Sequence, residues 1–227
     1  MINHSAKNTA RVVKFTFNPF SENTYLIGDA TGECIVIDPG CFDATERERL
    51  RTEIEERNWQ PVRLLNTHCH IDHVFGNRFV SETWDLPLEI HQDELPMLNA
   101  VPLSAQMYGI PYPEPSPGPG NFLQENTTLR FGETELELRL VPGHSPASLA
   151  FVCHGGKFVI AGDALFQRSI GRTDLPGGDH QTLLDSIREQ LFTLPDDYTV
   201  YAGHGPETTI GEERRLNPFV GEGASYG

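Results

Sequence analysis

Basic side chains are scarce in this sequence. Its 227 residues include 17 Lys and Arg against 32 Asp and Glu, a net charge of −15. A field of that sign repels phosphodiesters and anionic bilayers, so neither nucleic acid nor a membrane surface is an expected partner. Cysteine is scarce as well. Cys34, Cys41, Cys69 and Cys153 are irregularly spaced and form no Cys-x-x-Cys pair, which argues against a thiolate zinc site. Cys34 and Cys153 lie in apolar runs and read as buried thiols, so no disulfide is demanded. No apolar run approaches the length of a membrane span. The stretch Met1–Asn8 lacks the apolar core of a secretory signal. Together these absences lead us to expect a soluble protein of a reducing cytoplasm. Hydrophobic residues are only 38%, yet runs of Val, Ile, Leu and Phe recur, so a sizeable core is credible.

Those runs mark alternating strands and helices. Arg11 to Phe17 and Asn23 to Gly28 read as a hairpin broken at Asn18-Pro19. Cys34 to Asp38 is a short buried strand ending at Pro39-Gly40. Asp43-Ala44-Thr45-Glu46 resembles a capping box opening a charged helix to about Arg57. Pro61 to Leu65 and Leu88 to His91 read as strands, with a short helix over Asn77 to Thr83 between them. Strands follow at Thr128 to Phe131, Leu136 to Val141, Leu149 to Cys153, Phe158 to Ala161 and Tyr198 to Tyr201. Gln181 to Phe192 is the clearest helix, with Leu183, Leu184, Ile187 and Leu191 on one face. A short helix at Glu212 to Leu216 follows the last strand. Residues 109–120 are too rich in proline and glycine for a regular element. Candidate functional residues fall on both sides of this loop, so it reads as an insertion within one domain spanning 1–227. Its place between those strands suggests a cover over the site mouth. Two halves of strands followed by helices predict two stacked sheets with helices outside.

The most informative stretch is Thr67-His68-Cys69-His70-Ile71-Asp72-His73, directly after the strand ending at Leu65. A loop at a strand end can aim several side chains at one point, whereas a straight strand sends neighbours to opposite faces. Imidazole and carboxylate suit zinc, iron and manganese. Three further strand ends carry the same residue types: Gly143-His144-Ser145, Gly162-Asp163 and Gly203-His204-Gly205. A histidine in a turn or an aspartate after a strand is commonly a local cap. Four such sites in one chain point instead to a shared metal centre.

The order His-x-His-x-Asp-His, Gly-His-Ser, Gly-Asp, Gly-His resembles the metallo-β-lactamase fold superfamily. The resemblance runs from Asn23-Thr24-Tyr25 to Asn217-Pro218-Phe219. Gly162-Asp163-Ala164-Leu165-Phe166, Ile170-Gly171-Arg172-Thr173-Asp174 and Gly203-His204-Gly205-Pro206 are similar to the glyoxalase II-like hydrolases rather than to true β-lactamases. It implies an α+β fold, the αββα sandwich, with two divalent metal ions between the sheet edges. His68, His70 and His144 would hold the first. Asp72, His73 and His204 would hold the second, and Asp163 would bridge them. Zinc is the first choice, and iron or manganese also suits the donors.

The implied activity is thioester hydrolysis of the hydroxyacylglutathione hydrolase type, with a metal-bridging hydroxide oriented by the catalytic Asp72 and Asp163. A thiol leaves easily and needs little acid assistance. Only residues 205–227 follow His204, too few for the C-terminal helical domain of glyoxalase II proper. The glutathione site therefore does not carry over, and the chain matches the shorter bacterial relatives. Arg168 and Arg172 are candidate contacts for a substrate carboxylate, against the alternative of structural ion pairs. Cys69 lies between two ligands and is expected to point away from them. The rival implication is a persulfide dioxygenase, which shares Gly171-Arg172-Thr173-Asp174 and Leu191-Phe192-Thr193-Leu194-Pro195. There a single iron would use His68, His144 and Asp163.

Overall fold

A computed structural model describes residues 10–112 and 114–224. The Met1–Asn8 stretch lies outside the described residues. Strands β1 (Arg11–Phe17) and β2 (Glu22–Gly28) form the expected hairpin, with Arg11 opposite Gly28 and Phe17 opposite Glu22. The first sheet continues in chain order through β3 (Glu33–Ile37), β4 (Gln60–Leu65), β5 (Leu88–His91) and β6 (Pro119–Leu123). From β3 to β6 the pairs are parallel, so each step needs a crossover. Helix α1 (Ala44–Glu56) makes the first crossover, α2 (Ile71–Val74) with α3 (Asn77–Trp84) the second, and α4 (Leu95–Tyr108) the third.

The second sheet has the order β14-β13-β10-β9-β8-β7. Its strands are β7 (Thr128–Phe131), β8 (Thr134–Leu140), β9 (Leu149–Cys153), β10 (Phe158–Gly162), β13 (Thr199–Ala202) and β14 (Thr208–Thr209). A two-stranded ribbon, β11 (Leu165–Phe166) with β12 (Ser169–Ile170), leaves β10. Helices α5 (His180–Ser186) and α6 (Ile210–Leu216) complete the chain.

Alternation along each strand produces the layers. Tyr25, Ile27, Ile35, Ile37 and Leu65 point inward and meet Leu136, Leu138, Leu149, Phe151 and Ile160 of the second sheet. Their neighbours Leu26, Val36 and Leu64 face outward onto Leu50, Ile54, Val80 and Val101 of the helices. On the other side Val152, Val159 and Val200 meet Leu183, Leu184 and Ile187. Each such fully buried side chain contributes roughly 1.5–3 kcal/mol. The result is the expected single-domain αββα sandwich.

The differences from expectation have local causes. Asp43 caps α1 by accepting from the Glu46 amide at 2.9 Å. The Glu46 carboxylate does not return the bond to Asp43; it accepts from the amides of Phe42 and Asn18, both at 2.7 Å. Helix α4 was hidden by its two prolines. Pro96 occupies the first turn, where its missing N–H costs nothing, and Pro102 lies inside. The irregular segment ends two residues early, because Pro119 opens the edge strand β6, a position a proline tolerates. Its described contacts hold it against α2 and α3. Ser116 Oγ meets Asn77 Nδ2 at 3.2 Å, and Arg78 Nε donates to the Pro115 carbonyl at 2.7 Å. The helix expected to Phe192 is α-helical only to Ser186 and widens into a π turn over Ile187–Leu191. Among the described residues no helix is long and apolar enough to cross a membrane.

Candidate metal centre

The seven ligand-type side chains meet where the C-terminal ends of β4, β8, β10 and β13 face each other across the two sheets. After Leu65 the chain leaves β4 in extended form, and His70 (φ −69°, ψ 154°) is the cap of α2. The single turn of α2 then places Asp72 and His73 side by side. His144 follows Gly143, whose φ of +118° and close approach to Leu183 exclude a side chain: a Cβ there would lie 2.3 Å from the Leu183 amide nitrogen. His204 follows Gly203, where a Cβ would fall 2.0 Å from Asp163 Oδ1. These glycines let two turns close on the same point.

Three candidate donor groups result among the described residues; one, Asp38 with His68 and His73, overlaps the two that the sequence motifs predict. In the first, His70 Nδ1 lies 2.8 Å from His144 Nε2, which is 3.3 Å from His68 Nε2. In the second, Asp72 Oδ2 lies 3.1 Å from His204 Nε2 and 3.7 Å from His73 Nε2. Asp163 stands between them: Oδ2 is 3.5 Å from both His144 Nε2 and His204 Nε2, and Oδ1 is 3.4 Å from His73 Nε2. Each group brings its ligand atoms within 4.8 Å of one another. Both are thus of a size to hold a cation.

The electrostatics differ from donor to donor. Burial, reinforced by His73, His70 and His144, holds His68 well below the usual imidazole range. Burial and His144 push His70 down to about 3. Both rings therefore keep a free lone pair near neutrality, as a cation ligand must. Burial opposes ionisation of Asp163 and Asp72. The facing His73 outweighs it in both, together with His144 and His68 for Asp163 and with His204 for Asp72, and both carboxyls lie below their usual range. His73 and His204 are shifted up despite burial. Asp72 and Asp163 beside His73, and the bond from His204 to Asp72, supply the reason.

Unpartnered polar atoms concentrate here. Glu22 Oε1, His70 Nε2, both ring nitrogens of His73 and Asp163 Oδ1 are buried without a hydrogen bond. Buried polar groups normally find partners, so a cluster of orphans argues for a species that the side chains alone do not supply. Converging imidazoles and carboxylates match a divalent cation.

A surrounding layer orients the ligands. His144 Nδ1 donates to the Arg172 carbonyl at 2.8 Å, and His204 Nδ1 to the Ser21 carbonyl at 3.2 Å, which leaves each Nε2 facing inward. Asp38 Oδ2 lies 3.2 Å from His73 Nδ1 and accepts from Thr67 Oγ1 at 2.6 Å, whose oxygen is 3.0 Å from His68 Nδ1. Asp38 escaped the sequence reading as a functional residue. Its signal was a strand ending in aspartate, the pattern that singled out Asp163. Glu22 and Glu94 were missed too, since neither stands in a histidine motif.

The two arginines separate. Arg168 is committed to the buried Glu213, through Nη1 to Oε1 at 2.7 Å and its amide to Oε2 at 2.8 Å. That favours a structural role over a substrate contact. Arg172 pairs with Asp174 by two 2.7 Å bonds, with both partners exposed. Cys69 is buried with its thiol pushed up by burial, as expected of a bystander.

The sequence profile of the metallo-beta-lactamase superfamily matches residues 17–204. A probable metallo-hydrolase, YqgX of Bacillus subtilis, is 40% identical over 206 residues, 89% of this chain and 93% of the relative. The hydroxyacylglutathione hydrolase GloC of Haemophilus influenzae is 38% identical over 206 residues, 88% of this chain and 93% of that protein. Among solved structures, the BLEG-1 B3 metallo-beta-lactamase superposes with a TM-score of 0.85 at 34% identity, covering 92% of this chain and 99% of its own. TTHA1623 in a di-iron-bound form gives 0.82 at 38% identity, covering 92% and 100%. The chain belongs to the metallo-beta-lactamase superfamily and is a metallo-hydrolase of that fold.

Proposed function

We propose that the chain is a thioester hydrolase of the hydroxyacylglutathione hydrolase type, working with two divalent cations. The observation that carries this reading is the pair of donor groups meeting at Asp163, one purely imidazole and one mixed with carboxylate. His68, His70 and His144 would hold one ion, Asp72, His73 and His204 the other, with Asp163 shared. Zinc suits the donors, and the di-iron form of TTHA1623 supports iron as the alternative occupant. When bound, such a pair lowers the pKa of a shared water towards neutrality and polarises a carbonyl.

The chain's own residues do the rest. Asp163 and Asp72 are ionised and acceptor-only, so they hold a water by its protons and aim its oxygen. The fixed tautomers of His144 and His204 keep the donor cage from rearranging as charge develops. The Phe166 ring stands 6.2 Å from that of His204 and walls one side. Arg172, which turns its carbonyl to His144 and its guanidinium to solvent, is the contact we propose for a substrate carboxylate. The substrate class is a small thioester, with a glutathione-linked one first, as in the relative GloC. Four free, buried cysteines support a reducing, cytoplasmic setting.

Purified protein should cleave lactoylglutathione and consume no oxygen with glutathione persulfide. Oxygen uptake without thioester cleavage would overturn the reading and restore the single-iron dioxygenase.

A further inference from the structure

One buried carboxylate outside the donor groups bonds to both loops that carry the all-histidine group. Glu94 closes the short 3-10 turn Gln92–Glu94 that joins β5 to α4, and is 1% exposed. Its Oε2 accepts from the amide of Cys69, the residue between His68 and His70, at 2.9 Å. Its Oε1 accepts from Oγ of Ser145, the residue after His144, at 2.6 Å and from the Ala147 amide, two residues further on, at 2.8 Å. All three partners donate, so the site calls for a group that only accepts, and a carboxylate is the side chain that does so. Ser148 Oγ lies 2.6 Å from Ser145 Oγ, which fixes the polarity of the chain: Ser148 donates to Ser145, and Ser145 donates to Glu94.

The two loops come from different sheets, and in each the Glu94 partner is chain-adjacent to a ligand. A second bond across the same gap, from the Leu149 amide to the Thr67 carbonyl at 2.8 Å, lies on the strand side of His68. Glu94 supplies the bonds on the far side, at Cys69 and Ser145. Moving Glu94 would let His144 Nε2 drift from its 2.8 and 3.3 Å spacings to His70 and His68.

We infer that Glu94 is a positioning residue that sets the spacing of His68, His70 and His144 and thereby the cation affinity of that group. The inference rests on the proposal that this group binds a cation. Charge neutralisation plays no part in it, because the carboxylate reaches the ligands only through backbone amides and a hydroxyl.

The test is zinc release from loaded wild type, Glu94→Gln and Ser145→Ala into a competing chromophoric chelator, with melting of each metal-free protein alongside. Ile54→Ala, a truncation under α1 and away from the site, gives the effect of lost stability alone. Glu94→Gln sets an amide N–H2 against a donor and should weaken the tightest-held zinc by roughly tenfold or more, the range seen when groups orienting metal ligands are removed. Ser145→Ala, losing one of the three bonds, should fall between it and wild type. Ile54→Ala should release zinc as wild type does despite a lower melting point. Wild-type release from both Glu94→Gln and Ser145→Ala would overturn the inference, as would equal weakening by Ile54→Ala. If Glu94→Gln does not fold, unchanged release from Ser145→Ala overturns it alone. Wild-type protein that takes up no zinc would instead overturn the metal reading itself.

Discussion

The two donor groups of the centre are built from different chemistry and meet solvent at different members, His70 in one and His204 in the other. The first is three imidazoles, with His68 and His144 almost fully buried and both flanking loops tied to Glu94. The second mixes two imidazoles with the Asp72 carboxylate, and the His204 side chain is 26% exposed beside Phe166. The first offers only imidazole nitrogens and is framed by Glu94, while the second adds a carboxylate and reaches solvent at His204. We propose that the group reached by solvent at His204 is the open one, which a substrate meets first.

The largest effect should come from the one residue the groups share. Asp163→Ala should lower kcat/KM for a thioester by roughly 10³-fold or more, a loss at the upper end for a transition-state contact. It should also cut metal content, measured by elemental analysis. Equal loss from Asp163→Ala and His204→Ala would erase the distinction between shared and single ligands. His204→Ala touches the open group alone. Its expected cost is about 10²-fold in kcat, with one metal per chain retained. Retention of both metals would show that His204 is not a ligand.

Asp38→Asn sharpens the comparison from behind. The Asp38 carboxylate faces His73 Nδ1 and takes the Thr67 hydroxyl that sits beside His68, so it supports both groups at once. About tenfold weaker metal retention is expected, read by chelator competition. The arginines give the smallest effects and should split cleanly. Arg168→Ala leaves the buried Glu213 carboxylate short of its charged partner and should cost roughly 1–3 kcal/mol, below the cost for a fully buried pair because Arg168 is partly exposed. Its KM should not change. Arg172→Ala should leave the unfolding free energy within about 0.5 kcal/mol of wild type, since its pair with Asp174 is solvated, and should raise KM severalfold. The reverse pattern would exchange their roles.

The sandwich was largely legible because the short continuous apolar runs of β3 and β10 and the 3.6-residue stripe that begins in α5 are local signals. Ligand candidates were legible because all but Asp72 and Asp163 are histidines, and glycine-flanked histidines at strand ends stand out. Helix α4 was not, since Pro96 and Pro102 imitate a loop in composition while the packing of Leu98, Val101 and Ala105 holds the helix together. Glu94 and Asp38 were hidden for another reason. Their meaning lies in what another strand end brings to them, across the two sheets for Ser145, 51 residues away, and from the neighbouring β4 for Thr67, 29 residues away. Arg168 and Arg172 looked equivalent in sequence. Only the position of Glu213, 45 residues on, distinguishes them.

The central claim is that both donor groups are occupied together. The most direct test is the number of metal ions per chain in protein purified without added metal, measured by elemental analysis on a sample whose thioesterase activity is known. Two ions per chain, falling to one in His204→Ala, is the predicted result. One ion per chain in fully active wild-type protein, unchanged by His204→Ala, would contradict it.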